Sequence, residues 1–385
     1  MISSDVEIML SEEFRQSVLS NVERDPVVVA MDKHIANASL VATQVKYLQR
    51  ARHKLPRLYE AGCVIPPRAF EQSSSEESAN IKNIGGGTLL DLTCGLGIDV
   101  MHFAERFERV VTLERDEALA KVVRYNFALL GIENVDVITT SAEEYVATTT
   151  EHFDWVFADP DRRSAEGKKM VRMEDCSPDV ISLMPRLREI ANRVGLKLSP
   201  LFDVDEAFRL LPCSEVEVVS IGGECKELNI YTGARHDVLR VVVAGLGSWE
   251  FTPEDMHVAP SAESIDVERA KYLIIPDVAL QKARVAIAAF KPYAQIWSNN
   301  GYAFAEELPE EVLPAKVYAI ERIERYNPKQ LKREFKGVGV EILKRNTTLS
   351  VEGVRRATGM RAGSERVMAI TSIGSESWIM LLKSC

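Results

Sequence analysis

Seven residues, Asp91-Leu92-Thr93-Cys94-Gly95-Leu96-Gly97, stand where an apolar run from Thr88 to Leu92 ends. Glycines at such a point let the backbone bend sharply and let a ligand approach it closely. Glu114 comes 19 residues after Gly95 and closes the next apolar run, Val110-Val111-Thr112-Leu113. A carboxylate there can accept both hydroxyl hydrogens of a ribose. Ser141-Ala142 follows a third run, Val135-Asp136-Val137-Ile138, and Asp159-Pro160-Asp161-Arg162-Arg163 follows a fourth, Trp155-Val156-Phe157-Ala158. Polar groups at the carboxyl ends of successive strands are how open α/β sheets hold nucleotides. Asp159 could orient or deprotonate a nucleophile, and the backbone carbonyl around Pro160 could accept from a target amine.

The spacing narrows the nucleotide. A dinucleotide site wants a third small residue, and the chain runs Gly95-Leu96-Gly97-Ile98-Asp99-Val100 instead. A phosphate-binding loop would end in Gly-Lys-Ser/Thr, which is absent. S-adenosylmethionine (SAM) has no pyrophosphate and carries an ammonium that would suit Asp91. Over about Gly85 to Gly245 the chain resembles the class I SAM-dependent methyltransferases. Asp91-x-x-Cys94-Gly95-x-Gly97 looks like their first motif, Glu114 like their ribose acid, Ser141-Ala142 like their adenine contact, and Asp159-Pro160 like their reaction-site motif. The resemblance implies SAM held by Asp91, Thr93, Cys94, Gly95, Gly97, Asp99, Glu114, Ser141, Ala142 and Asp159, with Asp159 and Pro160 at the reaction. The family often has Asp where this chain has Ser141. Its amine-methylating branches have Asp/Asn-Pro-Pro-aromatic where this chain has Asp161-Arg162. A guanidinium can stack on a base or grip a phosphate, so Arg162 and Arg163 are expected to meet substrate. The polar, basic stretch Ser164 to Met173 is expected beside the site, and Glu71 to Glu76 over its rim. Pro212-Cys213-Ser214 is similar to the cysteine motif of cytosine-5 RNA methyltransferases. That cysteine follows the helix after the fifth strand, not the fourth strand, so the match reads as chance.

These residues need a sheet to position them. Short apolar runs alternate with helical stretches such as Glu117 to Leu130, which predicts parallel strands with helices on both faces. Further strands are expected at Val194 to Leu198, Val216 to Ile221 and Leu239 to Ala244. No helix separates the last two, so an antiparallel hairpin at the sheet edge is expected. Ser11 to Tyr59 has helical periodicity, with Ser11 placed to cap and Ala30 to Leu48 as a second helix. The fold class is therefore α/β: a Rossmann-like, mostly parallel methyltransferase sheet, an N-terminal helical region and a C-terminal α+β module. The expected division is a helical region over 1–70, the methyltransferase domain over 71–248, a small ferredoxin-like unit over 249–313 and a last module over 314–385.

That last module carries 14 Lys/Arg against 7 Asp/Glu, although the whole chain has a net charge of -10. A basic module on an acidic body points to an anionic partner. The stretches Leu343-Lys344-Arg345-Asn346-Thr347-Thr348-Leu349 and Val354-Arg355-Arg356-Ala357-Thr358-Gly359-Met360 make the module similar to THUMP domains, and the whole chain similar to bacterial methyltransferases with a C-terminal THUMP-like domain. The resemblance implies RNA, tRNA or rRNA, as the partner, with Lys344, Arg345, Arg355, Arg356 and Arg361 as phosphate contacts. A protein or small-molecule methyltransferase, and a SAM-binding RNA adaptor without catalysis, are open alternatives. Six scattered cysteines show no metal or redox spacing. With no apolar run of membrane length and no leader at its start, the chain is expected to be cytoplasmic. No oligomer seam is evident.

Overall fold

The computed structural model describes residues 3–162, 173, 176–260, 267–296 and 298–385. The chain forms two compact units, Met1–Phe202 with Asn229–Gly233, and Asp203–Leu228 with Ala234–Cys385.

The first unit is built on β1 (Gly86–Asp91), β2 (Phe107–Leu113), β3 (Val135–Ile138) and β4 (Phe153–Ala158). A short antiparallel ribbon of β5 (Asp161–Arg162) and β6 (Cys176–Ser177) follows, and then β7 (Ala191–Leu198). The main strands lie in the order β7-β4-β1-β2-β3, every pair parallel. Their β-branched and aromatic residues suit strands covered on both faces. The chain moves outward from β1 through β2 to β3, then returns to β4 on the other side. Connections leaving β1 and β4 therefore diverge and open a crevice at their carboxyl ends.

The N-terminal helices belong to the same body. Val41, Val45 and Leu48 of helix Ala38–Lys54 are buried in one cluster with Leu89, Val110 and Phe157 of the sheet. The helix starts later than its periodicity suggests, because Asn37 adopts a left-handed φ of 54° and Pro26–Met31 forms a separate short helix capped by Asp25. Two buried amides then fix the strap that follows. Asn126 donates to the Val64 carbonyl and accepts from its N–H, both at 2.9 Å. Gln44 does the same for Ile65, at 3.1 and 2.9 Å.

In the second unit, β8 (Ser214–Ile221) and β10 (Val238–Val243) pair in parallel, not as the expected hairpin. The reason is an intervening strand, β9 (Glu224–Thr232). Gly222 and Gly223, both at positive φ, reverse the chain into it beside β8. The antiparallel edge is made instead by β10 with β11 (Gly247–Phe251). A second sheet has the order β13-β12-β14-β17-β16-β15. Its strands are β12 (Tyr272–Pro276), β13 (Ala303–Ala305), β14 (Ala315–Arg325), β15 (Gly339–Lys344), β16 (Arg361–Ile373) and β17 (Glu376–Ser384). Among the described residues, 249–313 thus has no sheet of its own: β12 pairs with β14 from Tyr272↔Ala319 to Pro276↔Ala315. Alternation along β17 covers both faces. Ile379 and Leu381 join Leu331, Phe335 and Val354 of helices Pro328–Phe335 and Val351–Thr358, while Met380 and Leu382 pack with Leu273, Tyr302 and Phe304. No helix among the described residues is long and apolar enough to cross a membrane.

Gly97 has φ +80°, and a Cβ there would lie 2.7 Å from Phe127 Cζ and 3.3 Å from Val123 Cγ1. Gly97→Ala should therefore cost about 2–4 kcal/mol, from the left-handed backbone and the overpacking together. Urea unfolding of the two proteins measures it, and a loss within 0.5 kcal/mol would contradict this account of the turn (about the spread of neutral surface changes).

Candidate active site

A cavity of about 530 Å³ opens at the carboxyl ends of β1, β2 and β4. Its floor is the loop after β1, stapled at both sides by the backbone: Leu92 N–H donates to Phe157 O at 2.9 Å, and Cys94 N–H to Leu113 O at 3.0 Å. The Thr93 hydroxyl accepts from Asp159 N–H at 2.7 Å, which ties the loop to the end of β4. Gly95 N–H donates to Glu114 Oε2 at 3.1 Å, and Asp116 N–H donates to Oε1 at 2.8 Å. The Glu114 carboxylate is thereby oriented, while burial, partly offset by those two N–H groups, raises its pKa. Ser141 caps helix Ala142–Thr148, accepting from Glu144 N–H at 3.1 Å.

Of the residues the sequence singled out, Thr93, Cys94, Gly95, Asp99, Glu114, Ser141, Ala142 and Asp159 line the cavity. Asp91, Gly97 and Pro160 are not on its surface. Asp91 is buried beneath the loop, accepting from the Thr112 hydroxyl and, at 3.4 Å, from Thr93 N–H. Desolvation, with Asp99 and Asp159 nearby, pushes its carboxyl up to about 7. Arg162 lies on β5 with its backbone paired to Cys176. Arg163 and the stretch Ser164 to Met173, apart from Met173, lie outside the described residues.

Several residues at the site had no sequence assignment. Lys197, at the end of β7, donates to Asp159 Oδ2 at 2.5 Å and to Ser74 Oγ at 2.7 Å, and stands 3.7 Å from Asp99 Oδ2. Lys82, fully buried just before β1, bonds Asp99 Oδ1 at 2.8 Å and Ser78 O at 3.2 Å. Burial alone would raise the Asp99 carboxyl, but the two lysines outweigh it and hold it at about 2. At Asp159 burial wins over Lys197, and the carboxyl is raised. The segment from Pro66 to Ala69 and Gln72 to Ser74 forms the opposite wall. Gln72 Nε2 reaches Asp161 Oδ2 at 3.2 Å. A charged lysine inside the apolar run Val194-Gly195-Leu196-Lys197-Leu198 is costly to bury alone; that cost was the available signal that Lys197 has an anionic partner. Among the described residues no cluster of His, Cys, Asp or Glu could hold a metal ion.

In the second unit, Lys344 and Arg356 are exposed. Arg345 is turned inward, 5.8 Å from the centre of the Tyr302 ring, and burial lowers its pKa. Arg355 Nη2 donates to Val340 O at 3.2 Å and Arg361 Nε to Gly337 O at 2.6 Å. A depression of about 670 Å³ in this unit, lined by Lys291, Tyr293, Phe304 and Glu306 among others, gathers no comparable set of converging groups.

Residues 315–384 match the family described as THUMP domain-like, and residues 44–157 match the tRNA (Uracil-5-)-methyltransferase family. An S-adenosylmethionine-dependent methyltransferase of Mycobacterium tuberculosis, strain H37Rv, is 24% identical over 323 residues, 80% of this chain and 84% of that one. A crystal structure of a candidate methyltransferase from Porphyromonas gingivalis W83 superimposes with a TM-score of 0.84 at 26% identity, covering 98% of both chains. The chain is a class I SAM-dependent methyltransferase with a C-terminal THUMP-like domain. A tRNA/tmRNA (uracil-C(5))-methyltransferase of Neisseria meningitidis is 27% identical over 172 residues, 38% of this chain and 47% of that one.

The cavity of this methyltransferase fits its cofactor. Gly95, at φ +55°, has no atom within 4 Å of where a Cβ would stand, so a side chain there would fill space the cavity now keeps open. The lining carries six carboxylates (Asp99, Glu114, Asp116, Glu143, Asp159, Asp161) against two guanidiniums (Arg68, Arg115). That balance favours a cationic sulfonium with an ammonium and disfavours a phosphate-bearing nucleotide.

The buried Asp91 makes stability pH-dependent. Between the ordinary 3.8 and about 7, the folded chain keeps a proton that the unfolded chain has released, so this residue's contribution falls as pH rises, by at most about 1.4 kcal/mol per pH unit, and is flat above. Asp91→Asn keeps an acceptor for Thr112 and should be more stable than the parent at pH 8, with the gap closing toward pH 5. Urea midpoints across that range test it; a gap independent of pH would contradict it.

Proposed function

We propose that this methyltransferase acts on RNA, tRNA or rRNA, held by its THUMP-like domain, with SAM in the cavity above Gly95. The observation carrying the reading is the joining, in one chain, of an acidic cofactor cavity to a THUMP-like module with twice as many basic as acidic residues. The named tRNA substrate of the Neisseria relative supports it. Glu114 accepts the ribose hydroxyls, Ser141 and Ala142 face the adenine, Asp99 takes the ammonium, and Thr93 to Gly95 form the floor. Asp91 acts from beneath by shaping that floor. When bound, SAM supplies an electrophilic methyl group; Asp159 orients the acceptor beside it.

Glu114→Ala removes the ribose acceptor and the partner of two loop N–H groups. Hydrogen bonds to charged groups are worth about 1.5–3 kcal/mol, so SAM should bind at least about tenfold more weakly by calorimetry while the circular dichroism spectrum is unchanged. An unchanged Kd would remove Glu114 from the site.

Labelled SAM incubated with total RNA from a strain lacking the protein should transfer its label to RNA; label found solely in protein or small molecules would overturn the RNA reading. Of the basic residues named from sequence, Lys344, Arg356 and Arg361 are exposed, and Arg361 is engaged by the Gly337 carbonyl. The K344Q/R356Q double variant should weaken RNA binding and lower the slope of log K against log salt by about 1–2, as expected for two lost phosphate contacts.

A further inference from the structure

Family resemblance and side-chain chemistry part company at the reaction corner. Residues 44–157 match a family named for methylating uracil at carbon 5. That carbon is a poor nucleophile until a thiolate adds to the neighbouring ring carbon, so the reaction needs a reachable cysteine. Among the described residues lining this cavity the one cysteine is Cys94, which is 6% exposed, lies in the floor loop, and has its thiol pushed well above the ordinary range by burial and by Asp91. Cys63 and Cys176 are buried, and Cys213, Cys225 and Cys385 are in the second unit. The groups that do converge are Asp159 and Lys197, with Ser74 and Asp99 behind them.

We propose that this site methylates a nitrogen bearing a hydrogen, a base amine if the substrate is RNA, and that Lys197 is the positioning residue holding Asp159 to receive the proton. The proposal rests on the methyltransferase reading above. The sulfonium keeps the C–S bonding pair as sulfur lone pair, and the nitrogen lone pair forms the new C–N bond. The nitrogen, acidified by that bond, gives its proton to the Asp159 carboxylate, which passes it to water. A nitrogen needs no strong base before attack, because it loses its proton once the bond has formed. A ribose hydroxyl does need one, and Lys197 cannot serve: its ammonium is engaged by Asp159 and Ser74 and it does not line the cavity. The lysine favours the ionised carboxylate, against the burial that raises its pKa.

Two experiments test this. In the first, RNA methylated by the intact protein is digested and its nucleosides identified by mass spectrometry. Methyl on a ring or exocyclic nitrogen is expected; methyl on carbon 5 of a pyrimidine or on a ribose oxygen overturns the proposal. Methyl on a nitrogen of protein or small molecules, with none in RNA, upholds the nitrogen acceptor and overturns the RNA reading alone. RNA substituted with 5-fluorouridine should give no covalent protein adduct on a denaturing gel, and an adduct would reveal a thiolate route. In the second, Lys197→Met should lower kcat and move the acid limb of the pH profile up by about one unit, since an opposite charge lowers a carboxyl by about 1–3 units. Lys197→Arg, which keeps the charge and the fold, should restore the limb. A limb unmoved in both variants overturns the positioning role.

Discussion

Four charges that ought to repel burial hold the catalytic corner together. Lys82, fully buried, pairs with Asp99 at the cavity wall, and Lys197 and Asp159 pair beside them. Desolvating such groups costs several kcal/mol each, and the attraction returns it only when geometry is good and the remaining protons are satisfied. Here Ser78 O and Ser74 Oγ take lysine donors that the carboxylates leave. The four come from different places: the approach to β1, the helix after the glycine loop, and the ends of β4 and β7. Losing one partner would strand the others, so the network fixes how these segments meet. The two lysines hold Asp99 at about 2, whereas Asp91, desolvated beneath the floor with Asp99 and Asp159 nearby, is raised to about 7.

The cofactor floor depends on backbone more than on side chains. Its loop is stapled to the neighbouring strands by main-chain hydrogen bonds, and the open space above Gly95 is what a ligand would use. Glu114 gains its orientation from two N–H groups of that same floor and turn. The strap that leads into the opposite wall is clamped at Ile65 by Gln44 of helix Ala38–Lys54 and at Val64 by Asn126 of helix Glu117–Leu129.

The THUMP-like domain shows how unequal a run of basic residues can be. Arg345 and Arg355 spend their guanidiniums on internal carbonyls and, for Arg345, on an aromatic ring, whereas Lys344 and Arg356 remain in water. Alternation along a strand and the turn of a helix decide which is which.

Local sequence determined a good deal. Apolar runs punctuated by glycine and acid defined β1 to β4 and the loop at Asp91 to Gly97, because a parallel strand and its turn are specified by neighbouring residues. Eight of the residues expected at the cofactor came together in one cavity for the same reason: they follow the carboxyl ends of β1, β2, β3 and β4 in the chain. Tertiary structure decided what depends on distant partners. It turned β8 and β10 parallel by folding β9 back beside β8, and it joined 249–313 to the last sheet through β12. It drew Asp91 under the floor and brought Lys82 and Lys197 to the carboxylates. Lys197 and Ser74 are 123 residues apart in sequence. No spacing rule encodes such a contact, since a lysine's role is set by which charge the folded chain brings within reach.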